Sequence, residues 1–199
     1  MRGEAMKKIC KELQNRNFPL NESHALEFFA REGDWQTQVY SDKVRSLEAW
    51  EIDPKFEAGL KANLPKAKIR ITDSFQAAKE KENLNHFDFI VLDNPQGLYG
   101  NNSEYCEHFE ALSTALPMLK KDGVLIFNIN WAPFDSEKHP EWMKRRSNFY
   151  ESENASHFTI DFLLSFYKNY FEKRNRKVAF SFATPRNNEY LSYLVFRLH

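Results

Sequence analysis

Phe87–Pro95 reads FDFIVLDNP, and the fold turns on how this stretch is taken. Phe89, Ile90, Val91 and Leu92 form a short, unbroken run of aromatic and branched apolar side chains. Such a run suits a strand buried on both faces, as in a parallel sheet covered by helices. Asp93, Asn94, Pro95 and Gly97 follow directly. They are ordinary turn residues. They also stand where open α/β sheets bind ligands, outside the carboxyl end of a central strand.

Upstream, strand-like and helix-like segments alternate. Glu4–Asn15 carries Met6, Ile9 and Leu13 on one helical face and ends at Asn17-Phe18-Pro19. Ser23–Ala30 (SHALEFFA) is read as a strand, Arg31–Trp35 as a turn and Gln36–Val44 as a helix. Leu47–Asp53 (LEAWEID) is a strand ending in acid. Asp53-Pro54 then opens a helix with Phe56, Leu60 and Leu64 on one face, stopped by Pro65. Ala67–Ile71 is a further strand, ending in Thr72-Asp73-Ser74, and Phe75–Leu84 a charged helix or helical turn.

Downstream, Asn101 and Glu104 have the spacing of a capping pair. Tyr105, Phe109, Leu112, Leu116 and Leu119 follow at helical spacing, and Lys120-Lys121-Asp122-Gly123 reads as that helix's end. Val124–Phe127 is a second buried strand. Trp131–Ser152 has no clear period and is expected as a long loop, with Trp131, Phe134, Trp142, Phe149 and Tyr150 able to cover a ligand. Ile160, Leu163, Leu164, Tyr167 and Phe171 mark another helix. Lys177–Thr184 and Tyr190–Arg197 flank Pro185-Arg186-Asn187-Asn188 with nothing helical between, so they are expected as an antiparallel hairpin. The alternation predicts a mostly parallel sheet with right-handed crossovers.

The composition narrows the function. The chain has 199 residues, 42% of them hydrophobic, which is enough for one sizeable core. Lys plus Arg equals Asp plus Glu, 28 each, so no global field steers it to nucleic acid or to an anionic membrane. The basic runs Lys144-Arg145-Arg146 and Lys173–Lys177 are read as solvated surface. Cys10 and Cys106 are too far apart for a zinc-type pair, and the six histidines form no ligand motif. No apolar stretch approaches ~20 residues. A soluble cytoplasmic protein is expected. A phosphate-binding G-x-x-x-x-G-K-[ST] loop and a G-x-S-x-G nucleophile turn are both missing.

The order of elements and the acidic strand ends, from Ser23 to His199, resemble the class I S-adenosylmethionine-dependent methyltransferases. The resemblance implies a three-layer, Rossmann-like, seven-stranded, mostly parallel sheet of order 3-2-1-4-5-7-6 with an antiparallel last strand. Residues 1–199 are then a single methyltransferase-like domain. The family's first strand ends in E/D-x-G-x-G-x-G. Here the stretch runs Glu27-Phe28-Phe29-Ala30-Arg31-Glu32-Gly33, with Glu27 at the acid and Gly33 at the last glycine. Phe29 and Arg31 replace glycines, and their Cβ atoms oppose positive φ. The turn is expected either to take another path or to bind the cofactor weakly.

The resemblance puts Glu51 on the cofactor ribose, with Ile52 beside it, and Asp73 and Ser74 on the adenine, while Asp73 reads equally as a helix N-cap. The stretch from Phe87 resembles the F-D-x-I-x-x-D/N-P-P-Y/F pattern of amino-methylating members. Asp93 takes the D/N position, Asn94 replaces the first proline, Pro95 is the second, and Gln96 replaces the aromatic. Tyr99 could supply a ring from the next loop. The implied cofactor set is Glu27, Phe29, Ala30, Gly33, Glu51, Ile52, Asp73, Ser74 and Asp93. The implied catalytic set is Asp93, Asn94, Pro95 and Tyr99, with S-adenosylmethionine as cofactor and no metal. The acceptor would be a small molecule, protein or RNA, with an amine suggested and no membrane partner. The alternative is a non-catalytic Rossmann-like binding subunit with a degenerate cofactor turn.

Overall fold

The computed structural model describes residues 3–186 and 190–199. Asn187 and Asn188 of the expected hairpin turn lie outside the described residues.

Seven strands form one sheet. They are β1 (His24–Phe28), β2 (Ser46–Glu51), β3 (Lys68–Ile71), β4 (Phe87–Leu92), β7 (Leu119–Asn130), β8 (Val178–Pro185) and β9 (Leu191–Leu198). Their order is β3-β2-β1-β4-β7-β9-β8. β1, β2, β3, β4 and β7 pair in parallel. β9 runs antiparallel between β7 and β8, as the closing hairpin predicts. β8 therefore points the same way as the parallel strands. A separate two-stranded ribbon joins β5 (Leu98–Tyr99) to β6 (Tyr105–Cys106).

Phe87–Leu92 sits between β1 and β7, and its side chains alternate between two cores. Phe89 and Val91 face one layer with α1 (Glu4–Asn15), Tyr40 of α2 (Thr37–Ser41) and Leu60 of α3 (Glu57–Asn63). Phe87, Ile90 and Leu92 face the other, with α4 (Ser74–Ala77), α5 (Phe109–Ala115), α6 (Pro140–Tyr150) and α7 (Ile160–Glu172). A strand covered on both sides has no solvent face, so its sequence is a continuous apolar run.

Several local expectations are corrected. The helix expected from Asn101 begins only at Phe109. Gly97 (φ 150°) and Gly100 (φ 89°) turn the chain into the β5–β6 ribbon, and the Glu104 carboxylate accepts from the Asn102 N–H instead of capping a helix. Lys120–Gly123 lies within β7, and the positive φ (67°) falls on Asp122. Pro117, which cannot donate to a continuing helix, lies in the short 3₁₀ turn that follows α5. Of the two readings of 75–84 the shorter holds, with one helical turn at Ser74–Ala77 and a 3₁₀ turn at Lys81–Asn83. Residues 131–152 contain α6, whose period is masked because a charged residue, Arg146, faces inward. Arg146 is 0% exposed and pairs with the buried carboxylate of Glu107, so that part of the 144–146 run is not solvated surface. Among the described residues no helix is long and apolar enough to cross a membrane.

Candidate active site

Parallel strands share direction, so the carboxyl ends of β1, β2, β3, β4 and β8 emerge at one edge of the sheet. A cavity of about 1000 Å³ opens there. Its lining includes every residue of the implied cofactor and catalytic sets: Glu27, Phe29, Ala30, Gly33, Glu51, Ile52, Asp73, Ser74, Asp93, Asn94, Pro95 and Tyr99. The five aromatic residues named for the 131–152 segment do not line it.

The first turn follows a glycine-like path although Phe29 and Arg31 stand at two of its three glycine positions. Phe29 has φ 59°, Arg31 49° and Gly33 64°. The left-handed region costs an L-residue about 1–2 kcal/mol, so the surroundings must hold it. Ala30 N–H extends the sheet ladder to Trp50 O at 3.0 Å, and Arg31 N–H donates to Glu51 Oε2 at 2.7 Å. Phe29 packs edge-on against Phe28 (79°) and Tyr99 (86°). At Gly33 a Cβ would lie 2.6 Å from Leu64 Cδ1 and 2.9 Å from its Cγ, so a larger residue must displace that side chain.

Glu51 ends β2 and is buried. Its other oxygen accepts from Asp53 N–H at 2.9 Å. Each carboxylate oxygen has more than one lone-pair site, so both retain capacity for a ligand hydroxyl. Ile52 beside it is 65% exposed, an apolar face held open at the cavity. Asp73 caps α4, accepting from Phe75 N–H at 2.8 Å, and Ser74 follows it, buried. The Phe75 and Tyr105 rings stack 4.0 Å apart over this end of the cavity.

At β4 the side chains are held by partners that the sequence reading missed. Asp93 Oδ1 accepts from Arg186 Nη1 and from Asn128 Nδ2, each at 2.8 Å. Asn128 Nδ2 also donates to Asn94 O at 3.2 Å. Arg186 lies over the rings of Tyr193 (4.9 Å) and Trp35 (5.9 Å). From sequence alone Arg186 is a turn residue. The signal was topological: β8 runs with the parallel strands, so the residue after it comes out at the ligand edge. Burial raises the Asp93 pKa, and Arg186 opposes that rise. Glu27, buried beneath, is pushed well above the usual carboxylate range by burial and then by Asp93, while the Tyr40 hydroxyl donates to it. Among the described residues, seven carboxyl side chains and two guanidiniums line the cavity.

Many solved structures with the same architecture are described as methyltransferases. A candidate RNA methyltransferase from Pyrococcus horikoshii superposes with TM-score 0.59 at 12% identity, covering 98% of this chain and 83% of that one. The Burkholderia thailandensis 1,6-didemethyltoxoflavin-N1-methyltransferase, solved with S-adenosylhomocysteine, has TM-score 0.58 at 13% identity over 98% of this chain and 78% of its own. The N-methyltransferase NodS of Bradyrhizobium japonicum has TM-score 0.55 at 13% identity over 96% of each chain. The chain has the class I methyltransferase fold. No protein-family model matches the sequence, and no curated protein matches it either. Within this fold, β1, β2, β4, β7, β9 and β8 correspond to the family's strands 1, 2, 4, 5, 7 and 6.

Proposed function

We propose that the protein is an S-adenosylmethionine-dependent methyltransferase whose acceptor atom is an amine nitrogen of a small molecule. The observation that carries this reading is the first turn. Phe29, Arg31 and Gly33 all take positive φ, and the acid ending β2 clamps the turn through Arg31 N–H. The competing reading, a non-catalytic binding subunit, drew its support from the missing glycines, and a turn that keeps their backbone path weakens it.

The residues present fit the cofactor. Glu51 would accept from its ribose hydroxyls, Ile52 would cover its base, and Asp73 with Ser74 would meet the base edge. S-adenosylmethionine, when bound, supplies an electrophilic methyl on a positively charged sulfur, so the chain's task is to orient an acceptor and exclude water. The excess of carboxylates over guanidiniums in the lining focuses a field that favours cations. That supports a cationic cofactor and a neutral or cationic acceptor over an RNA backbone. Asp93, held by Arg186 and Asn128, would orient the amine from the end of β4, with the main-chain carbonyls of Asn94 and Pro95 and the ring of Tyr99 completing that wall.

The test is incubation with methyl-labelled S-adenosylmethionine and panels of small amines, with RNA and protein as comparison acceptors. The reading predicts label on an amine nitrogen, lost in Asp93→Ala. Label on RNA or on a carboxylate contradicts the acceptor assignment.

A further inference from the structure

A second cavity, of about 590 Å³, lies beside the first. Gly97 and Leu98 form one wall, and the approach to α6, Lys138 to Trp142, forms the other. Gln96 is the one described residue common to both linings. It stands where the amino-methylating pattern has an aromatic ring, and it does something a ring cannot. Its Nε2 donates to Asn94 O at 3.1 Å and lies 3.4 Å from Pro95 O. A carbonyl oxygen only accepts, so this contact fixes the nitrogen end of the amide. The other end, Oε1, is buried without a partner, and so is Asn94 Oδ1. A buried acceptor with no donor is costly, so the Gln96 side chain is seated on the two carbonyls but poorly satisfied there.

The second cavity has apolar side chains on both walls, one of them an indole that offers a flat face. Leu98, Pro140 and Trp142 supply its apolar surface. The Trp142 indole is locked in plane, because its N–H donates to the buried Glu107 carboxylate at 2.7 Å.

We propose that the second cavity receives the methyl acceptor and that Gln96 is the gate between it and the cofactor cavity. We further infer that the acceptor is a flat ring bearing a planar –NH₂ group. That group takes over the Asn94 carbonyl from the Gln96 amide, which it resembles in shape and donor geometry, and shares the Pro95 carbonyl with Asn94 Nδ2, which donates to it at 3.1 Å. Displacing Gln96 frees Oε1 to find water and connects the two cavities. This inference rests on the methyltransferase reading and names the acceptor class for the same site.

The experiment is an NMR titration of the full-length protein with benzamide, using N,N-dimethylbenzamide as the control without N–H donors. The proposal expects benzamide alone to shift the Trp142 indole and Leu98 methyl signals. Gln96→Ala removes an internal competitor, so it should bind benzamide about tenfold more tightly. Glu141→Trp, at the exposed rim of the second cavity, should abolish the shifts. Equal or weaker binding by Gln96→Ala overturns the gate. Shifts that survive Glu141→Trp, equal shifts from the dimethyl compound, or no shifts in either protein up to the solubility limit overturn the proposal. S-adenosylhomocysteine titrated into the same samples reports on the underlying reading separately. If it binds and benzamide does not, the acceptor proposal falls while the methyltransferase reading stands. If it binds no variant, the methyltransferase reading fails whatever benzamide does.

Discussion

The backbone N–H of Arg31 donates to the carboxylate of Glu51 at 2.7 Å. This one contact ties the first turn to the end of the second strand, and it holds a residue at φ 49° that its side chain disfavours.

Arg31→Gly relieves that strain. The left-handed conformation costs about 1–2 kcal/mol in an L-residue, against about 0.5–1 kcal/mol for the extra unfolded-state freedom of glycine. The lost contact is an exposed one, the guanidinium lying 5.5 Å from the Phe56 ring. Urea unfolding is expected to show a net gain of up to about 1 kcal/mol. A clear loss would mean that the Arg31 side chain holds the turn.

Gly33→Ala acts in the opposite direction. The backbone strain at φ 64° adds to a Cβ placed 2.6 Å from Leu64 Cδ1. Unfolding should show a loss of about 2–4 kcal/mol. A neutral result would mean that Leu64 yields freely.

The sheet was legible because β4 and its neighbours are apolar on both faces and because β8 and β9 follow each other with no helix between. The site was legible where a strand end carries acid, as at Glu51, Asp73 and Asp93. Three things were not. Phe29 and Arg31 looked incompatible with the turn, because backbone strain is balanced by contacts from other strands that local sequence does not show. The α6 pattern was obscured by Arg146, whose inward face makes sense only beside Glu107, distant in sequence. Arg186 and Asn128 were missed because their meaning comes from which strands point to the same edge.

Glu27 should leave a pH signature. Its folded pKa is raised well above 4.5 by burial and by the nearby Asp93. The folded state therefore holds a proton that the unfolded state releases, and stability falls as pH rises from 4.5 toward the raised value. Glu27→Gln, which keeps an acceptor for the Tyr40 hydroxyl, should flatten that decline when unfolding is followed from acid to neutral pH. An unchanged slope would place the ionisation elsewhere.

The buried pair of Arg146 and Glu107 fixes α6 to the β5–β6 side of the site. Arg146 also donates to Ala155 O at 2.9 Å and to Asn130 O at 2.8 Å. Arg146→Met leaves Glu107 as an unpaired buried carboxylate and should cost about 3–5 kcal/mol. Adding Glu107→Leu to it should restore much of the loss. If the double variant is no better than the single, the pair is not coupled.

The most direct test of the account is calorimetric titration of the wild-type protein with S-adenosylhomocysteine, repeated with Glu51→Gln. Glutamine is chosen because alanine would leave both the Arg31 and Asp53 N–H groups without their acceptor. The account predicts saturable binding by the wild type, with about 2.7 kcal/mol of added stability at ~100 times Kd. It predicts an affinity lower by about 1.5–3 kcal/mol in Glu51→Gln, from the loss of a charged hydrogen bond to the ribose. No binding by the wild type at millimolar ligand, or equal affinity in the variant, would contradict it.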